Sequence, residues 1–340
     1  MGILDDAACV VWSTNPLFWQ GVAALEAAKR AGAIKNRGEC ESAAKHGTQI
    51  ASQFGIPTAL SGSFGKCACR RVFKKHEQAA PGGHPDHDPA EGIRYDAVFA
   101  KSGENRQWVH GWDRADFDAK VAEMQGQGYQ LADLNGFVLP RDGVRYNAVW
   151  TKAGSDRPSA YGWARDDFDK KAAELQGQGY GLVALNGFVL PEGLRYNGIW
   201  AKTGGDRPWV HGWTRDDFDK KAAELQGQGY QLVDLNGFVL PEGLRYNGIW
   251  AKTGGDRPWV HGWTRDDFDR KAAELQGQGF RLLTLNGFVL PEGIRYNGIW
   301  AKTTEDRPWV HGWTRDDFDK KAAELQAQGY SPVSLDGFVV

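Results

Sequence analysis

A block of about fifty residues occurs five times in this chain, and this repetition constrains the fold more than any other feature. The Arg-Tyr pair that opens each copy falls at Arg94, Arg145, Arg195, Arg245 and Arg295, with spacings of 51, 50, 50 and 50 residues. A fixed period of roughly 20–50 residues is typical of proteins whose small units stack on their neighbours. The 340-residue chain is therefore expected to form one small N-terminal domain followed by five copies of a module.

The third copy shows which elements each repeat contains. Residues 195–202 alternate with period two, which indicates a strand, and the glycine-rich stretch after them predicts a turn. Thr214 stands where a helix N-cap belongs, with Asp217 three residues later in the position of a capping box. Gly229 ends the predicted helix, and residues 230–240 are typical of a second strand. Each repeat is thus predicted to be strand, loop, helix, strand.

The ends of the array bear on how the copies assemble. A two-stranded hairpin with one helix cannot bury both of its faces, so the copies must pack on one another. The first copy begins with its inner strand and the last stops after its second strand, so each end holds half of a hairpin. Pairing of the two halves would close the array. An open array would leave residues 331–340 as an unprotected edge, unless the N-terminal domain covers it.

The predicted fold class is α+β, with five strand–loop–helix–strand repeats in a closed or nearly closed ring. An open curved solenoid is the alternative. The repeats span 94–144, 145–194, 195–244, 245–294 and 295–340, within a domain over 93–340.

Residues 1–77 are predicted to form a small, mainly helical domain, joined to the repeats by a Pro- and Gly-rich linker over 78–92. All the cysteines of the chain fall in this domain: Cys9, Cys40, Cys67 and Cys69. An even number of cysteines in a short segment favours two disulfides in an oxidising compartment, with the pairing left open. Buried thiols in a cytosolic protein are the alternative. Metal binding is less favoured, because only one residue separates Cys67 from Cys69.

Charge and hydropathy argue against two classes of partner. The net charge is −2 and charged residues make up 25% of the chain, so neither a nucleic-acid binder nor an anionic-membrane binder is indicated. No apolar run approaches the ~18–20 residues that would span a bilayer.

Aromatic residues of the repeat form a pattern that suits ligand binding. If residues 209–213 are extended, Trp209, His211 and Trp213 fall on one side of the strand, beside Asp206 and Arg207. Two flat rings that flank an imidazole suit a sugar, because the rings stack on its C–H faces while polar groups bind its hydroxyls. The pattern therefore predicts a carbohydrate site on each copy that carries it.

Differences between the copies separate core positions from candidate ligand positions. A tryptophan equivalent to Trp213 is present in all five copies, which indicates a core position at the start of the helix. The second copy, in contrast, has Ser159 in place of Trp209 and Tyr161 in place of His211. Loss of a buried tryptophan costs about 3–5 kcal/mol, so we expect Trp209 and its equivalents to be partly exposed. The structural alternative is that these rings only fix the loop to the neighbouring repeat. The predicted ligand-binding residues are Trp108, His110, Trp209, His211, Trp259, His261, Trp309, His311, Asp206, Arg207, Asp256, Arg257, Asp306 and Arg307.

The repeat resembles the bacterial tandem repeat domain family. The resemblance is carried by Trp200 at the end of a strand, Trp209 with His211-Gly212, Phe218 in a capped helix, Gln228-Gly229-Tyr230, and Gly237-Phe238 in the last strand. Such repeats are similar to those that precede the β-lactamase-like catalytic region of secreted fungal polyglycine hydrolases. That catalytic region has no counterpart in this sequence, so the resemblance implies an extracellular accessory or recognition module. We therefore expect a secreted protein, although no signal peptide is visible at the N-terminus.

No part of the repeat combines a nucleophile with a base and an orienting acid, so no catalytic site is predicted. We expect neither a cofactor nor a metal. The sequence predicts a non-enzymatic, multivalent, lectin-like protein that binds glycans through several weak sites, with a protein partner as a lesser alternative. The rival interpretation is a structural or assembly scaffold whose N-terminal domain is the interaction or toxin element.

Overall fold

A computed structural model describes residues 92–340 apart from 102, 104–105, 141, 153 and 155. The predicted N-terminal domain, the linker up to residue 91 and all the cysteines lie outside the described residues. The described strands are β1 Ile93–Ala100, β2 Gln107–Trp112, β3 Gln130–Leu139, β4 Gly143–Thr151, β5 Ser159–Trp163, β6 Gly181–Leu190, β7 Gly193–Ala201, β8 Trp209–Trp213, β9 Gln231–Leu240, β10 Gly243–Ala251, β11 Trp259–Trp263, β12 Phe280–Leu290, β13 Gly293–Lys302, β14 Trp309–Trp313 and β15 Ser331–Val339. The described helices are α1 Arg114–Gly126, α2 Arg165–Gly177, α3 Arg215–Gly227, α4 Arg265–Gly277 and α5 Arg315–Ala327.

The strands form five antiparallel sheets of three strands each. In the third sheet the short strand β8 and the long strand β9 both pair with β10, in the order β8–β10–β9. One unit is therefore a short strand, a helix and a long hairpin, and the predicted strands and helix of the repeat are confirmed. We number the units by their helices, so that unit 3 comprises β8, α3, β9 and β10.

The helix of each unit begins and ends where the sequence indicates. In unit 3, Thr214 accepts a hydrogen bond from the amide of Asp217 and donates one to its carboxylate (2.7 Å). Phe218 and Leu225 are buried on the face that packs against the sheet, and Gly229 takes a positive φ of 84° just after the helix. The polar face stays exposed, so the helix covers one side of a sheet.

The cores of neighbouring units are continuous. Trp250 is buried among Phe218 and Leu225 of its own unit, and Ile299 of unit 4 completes the same cluster. Burying one tryptophan removes roughly 150–250 Å² from water, worth about 4–6 kcal/mol. Because each cluster needs a side chain from the next unit, no unit buries its apolar surface alone.

The N-terminal strand closes the array into a ring. β1 lies between β14 and β15, and pairs with β15 from Ile93↔Val339 to Ala100↔Ser331. We call β14–β1–β15 the closing sheet. Its middle strand, β1, comes from the N-terminal end of the repeat domain, whereas β14 and β15 come from the C-terminal end, as the half-hairpins predicted. The closed ring is confirmed, and the open solenoid is wrong.

A circle of hydrogen bonds links the five sheets. In each unit a glycine amide on the first strand of the long hairpin donates to the side chain at the asparagine position of the next unit. The donor–acceptor pairs are Gly136–Asn186 (2.9 Å), Gly187–Asn236 (2.9 Å), Gly237–Asn286 (2.8 Å), Gly287–Asp336 (2.9 Å) and Gly337–Asn135 (3.2 Å). The last pair returns to unit 1, so the circle is complete.

The closing sheet differs from the others at two buried positions. In ordinary units the amide Nδ2 of one asparagine donates to a second, as Asn197 does to Asn186 (3.0 Å). The closing sheet has Asp96 and Asp336 at these positions. Asp96 Oδ2 faces Gly287 as Asn197 Nδ2 faces Gly136, and this buried oxygen has no hydrogen-bond partner among the described residues.

A proton shared by the two aspartates would complete this arrangement. Asp336 already accepts hydrogen bonds from the Gly287 amide, from Asn286 Nδ2 (3.0 Å) and from Asn135 Nδ2. Burial raises the pKa of the Asp96 carboxyl to about 7 and holds the pKa of Asp336 well above its usual value. We place the proton on Asp96 Oδ2, which then replaces the missing amide donor.

Candidate functional site

The predicted ligand histidines contact the preceding unit. His211 Nε2 donates to Asp169 Oδ1 of helix α2 (2.8 Å), and Arg165 of the same helix donates to the His211 carbonyl oxygen (3.2 Å). Burial lowers the pKa of His211 from its usual value. The same imidazole–carboxylate contact joins His110 to Asp319, His261 to Asp219 and His311 to Asp269. The imidazoles therefore fix units to one another, as the structural alternative proposed.

The second copy preserves this contact with a different donor. Tyr161 stands in place of the histidine, and its hydroxyl donates to Asp118 of helix α1 (2.8 Å). Histidine and tyrosine therefore make equivalent hydrogen bonds to the same helix position, and the contact between units is kept although the residue changes.

The tryptophans that stack on these histidines are Trp108, Trp209, Trp259 and Trp309, and we call them the stacked tryptophans. Trp209 lies parallel to His211 with ring centroids 5.2 Å apart, and meets Phe168 edge-on. Trp209, Trp259 and Trp309 are partly exposed, in line with the expectation. Trp108 is only 7% exposed, so the expectation is wrong for this copy. In its cluster Phe99 stands where other units have a larger tryptophan.

The predicted polar residues lie in the loop before the short strand. Asp206 is exposed and Arg207 is half-buried, and both line a cavity of about 380 Å³ with Trp209. In the last copy Asp306 accepts a hydrogen bond from Tyr330 (2.6 Å), and Arg307 pairs with Glu305. Asp256 and Arg257 occupy the corresponding loop of unit 4, where Asp256 is exposed and Arg257 half-buried.

A backbone bulge overturns the prediction that Trp213 shares a face with Trp209 and His211. The register passes from Val210↔Gly248 to Trp213↔Tyr246, so β8 holds one extra residue. Gly212 makes the bulge with a φ of 66°, and a side chain there would meet the Tyr196 hydroxyl. The three residues therefore do not form one notch.

The tryptophans that follow the bulge all keep some solvent exposure. Four of them also pack against the cores, so the prediction of a core position is wrong only for the exposed Trp163. We call Trp112, Trp163, Trp213, Trp263 and Trp313 the helix-entrance tryptophans. Trp163 is 37% exposed, and the other four are partly exposed. The sequence indicates this exposure, because each of these tryptophans directly precedes the N-cap and lies outside the apolar stripe of the helix.

Open pockets lie beside the helix-entrance tryptophans. One of about 490 Å³ is lined by Trp213, Thr214, Asp217, Lys221 and Glu224, among others. Its equivalent at Trp163 has a volume of about 530 Å³. Lys221 Nζ donates to Glu224 Oε1 (2.8 Å), so each pocket presents an indole together with paired donors and acceptors.

Within the described positions no group of three or more His, Cys, Asp or Glu side chains could hold a metal ion. No helix in this part of the chain is long and apolar enough to cross a membrane.

Comparison with known proteins agrees with the units seen in the fold. A family described as polyglycine hydrolase-like, structural repeat, matches residues 106–153, 158–203, 209–253, 259–303 and 309–340. A search of curated proteins gave no match. The five matched segments each start within two residues of the short strand of a unit and cover most of the chain. The chain therefore belongs to the family of polyglycine hydrolase-like structural repeats.

Proposed function

We propose that the ring is a non-enzymatic module that binds glycans at several equivalent sites outside the cell. The observation that carries the proposal is the repetition of an indole beside an open pocket, seen at the exposed Trp163 and at the partly exposed Trp213. Hydration of an exposed indole surface is unfavourable, and a sugar ring that stacks its C–H face on the indole removes part of that surface from water. The helix-entrance tryptophans thus take the role that the sequence assigned to the stacked tryptophans.

The polar lining of these pockets suits hydroxyl groups. Asp217 and Glu224 offer carboxylate oxygens, while Lys221 offers ammonium protons. These groups lie on the exposed face of the helix, so a bound sugar would remain half in solvent and each site would be weak. Several weak sites on one rigid ring gain affinity together on a surface that displays many copies of a ligand.

The proposal includes no catalytic step. The imidazole–carboxylate pairs resemble part of a hydrolytic site, but His211 is buried and its Nδ1 lies 3.3 Å from an Arg165 nitrogen. No side chain in the described part of the repeat supplies a nucleophile beside it. We therefore assign these pairs to assembly.

A structural scaffold is the second candidate, favoured by the continuous cores and the complete circle of hydrogen bonds. In that case the ring would present the N-terminal domain, and the exposed indoles would have no ligand.

Glycan-array binding by the full-length chain separates the two candidates. We expect binding that falls at least tenfold when Trp163, Trp213 and Trp263 are changed together to Ala. The matched control changes the stacked tryptophans Trp259 and Trp309 to Ala. Loss of binding only in the control would move the site to the stacked tryptophans, and absence of binding by the unaltered chain would leave the scaffold.

A further inference from the structure

A deeper cavity lies at the junction of units 2 and 3. It has a volume of about 380 Å³ and is lined by residues from the end of helix α2 and the start of β6, and by the loop before β8. Tyr180, Gly181, Asp206, Arg207 and Trp209 are the lining residues that matter here, and we call this cavity the junction cleft. It is separate from the pockets beside the helix-entrance tryptophans.

The residue at position 181 is a feature that this junction does not share with the others. Gly181 begins β6, whereas the equivalent positions hold Gln130, Gln231, Arg281 and Ser331. A Cβ at 181 would meet Thr203 Oγ1 at 2.9 Å and Arg207 Cδ at 3.1 Å, so a larger residue there requires the Thr203 and Arg207 side chains to shift. In unit 4, Arg281 donates to the carbonyl oxygen of Gln276 in the last turn of α4 (3.2 Å). Gly181 of unit 2 has no side chain that could cover the end of α2 in this way.

The aromatic wall of the junction cleft offers one face of an indole. His211 covers one side of the Trp209 ring, with centroids 5.2 Å apart and planes within 20°. The partly exposed remainder of Trp209 lines the cleft. Tyr180 contributes a second ring, whose hydroxyl donates to Asp156 Oδ2 (3.0 Å). A flat ligand with C–H groups on one face fits this wall.

The polar groups of the junction cleft can form hydrogen bonds with the hydroxyl groups of a ligand. Arg207 is half-buried and makes no hydrogen bond within the described part of the chain, where its electrostatic partner is the buried carboxyl of Asp234. A guanidinium carries five N–H donors, so this side chain has unused donor capacity. Asp206 supplies exposed acceptor oxygens. Lys202, over the Tyr180 ring, and Asp156 balance the remaining charge, so an uncharged ligand suits the cleft better than an ion.

We propose that the junction cleft is a distinct binding site for one neutral pyranose unit, which stacks on Trp209 and hydrogen-bonds to Arg207 and Asp206. This inference deepens the proposed glycan binding and adds to the ring one deeper site that the symmetric pockets lack. The cleft volume lies near the lower end of the ~300–1,000 Å³ typical of small-molecule sites.

The experiment uses the sibling copies as a guide. The full-length chain is titrated with the methyl glycosides of glucose, galactose, mannose and N-acetylglucosamine, and binding is followed by the indole N–H signals in an NMR spectrum. The Trp209 signal is assigned with Trp209→Phe. We expect it to shift with one of the four glycosides. Gly181→Gln gives the junction the residue of copies one and three, and should weaken that shift at least tenfold.

A variant that gains a binding site gives a stricter test than one that loses it. Gln231→Gly opens the equivalent junction of units 3 and 4, so the Trp259 signal should begin to respond to the same glycoside. Arg207→Ala should abolish the Trp209 response, whereas Arg257→Ala, its matched control in the unaltered junction, should leave it intact. The inference is overturned if no glycoside shifts Trp209, or if the Gly181 and Arg207 variants respond as the unaltered chain does.

These outcomes are independent of the array experiment. Array binding without a Trp209 response would retain the proposed function and reject the junction cleft. A Trp209 response without array binding would retain the cleft and reject multivalent recognition.

Discussion

The shared proton of the closing sheet should make ring stability depend on pH, and Asp96→Asn should remove much of that dependence. The substitution installs the amide found in the other four sheets. The Asn Nδ2 would donate to Asp336 as Asn197 does to Asn186, and the side-chain oxygen would still accept from the Gly312 amide as Asp96 does (2.6 Å). No atom need move, because Asp and Asn have the same shape.

The magnitude follows from the shift in protonation. Burial raises the pKa of the Asp96 carboxyl from 3.8 to about 7, despite the opposing effects of the Gly312 amide and of Arg265. Because the folded pKa is the higher one, the stabilising effect of the shared proton is complete below about pH 4 and is lost as the pH rises to 7. One pKa unit corresponds to about 1.4 kcal/mol, so the loss is about 4 kcal/mol.

Denaturation by urea at a series of pH values between 4 and 9 measures this effect. Asp96→Asn should be more stable than the unaltered chain by about 4 kcal/mol at pH 8, and by much less at pH 4. Other buried carboxyls titrate in the same range, since burial raises the pKa of Asp133 to about 6 and of Asp234 to about 7. The difference between the two proteins cancels their contribution. An unchanging difference across this pH range would refute the shared proton.

Three further predictions concern packing. Trp250→Ala should lower the free energy of unfolding by about 3–5 kcal/mol, whereas Trp163→Ala should change it by less than about 1 kcal/mol because that ring is exposed; urea denaturation of both tests the assignment of buried and exposed indoles. His211→Ala should cost about 1–2 kcal/mol through its lost bond to Asp169, and His211→Tyr should recover part of it in the same assay, as Tyr161 suggests. Ala97→Pro removes a ladder hydrogen bond from β1, so amide exchange should accelerate in β14 and β15, and unchanged exchange there would count against closure by this strand.

The repeat period, the helix caps and the strand positions could be predicted from sequence because each depends on neighbouring residues. Thr214 and Asp217 are three residues apart, and their hydrogen bonds need no tertiary information. Ring closure could also be anticipated, since half a hairpin at each end needs a partner. These features follow from local chemistry and from counting strands.

The orientation of the aromatic rings could not be predicted. A period-two pattern places Trp209 and Trp213 on one face, but the positive φ of Gly212 inserts a bulge that reverses the second ring. Glycine in a strand is compatible with either geometry. The contact between His211 and Asp169 spans two units, and nothing local to either residue indicates it.

The closing strand has a consequence for how the chain is made. On a ribosome β1 appears first among the described strands, but β15 follows about 240 residues later. At roughly 5–20 residues per second, β1 waits on the order of ten to fifty seconds with its backbone amides and carbonyls unmatched. Throughout that interval β1 is an unpaired strand that could form a β-ladder with a second nascent chain. Pairing of β1 with its own β15 therefore competes with pairing to a second chain. Slow translation, or synthesis of many chains close together, should favour oligomers joined through β1.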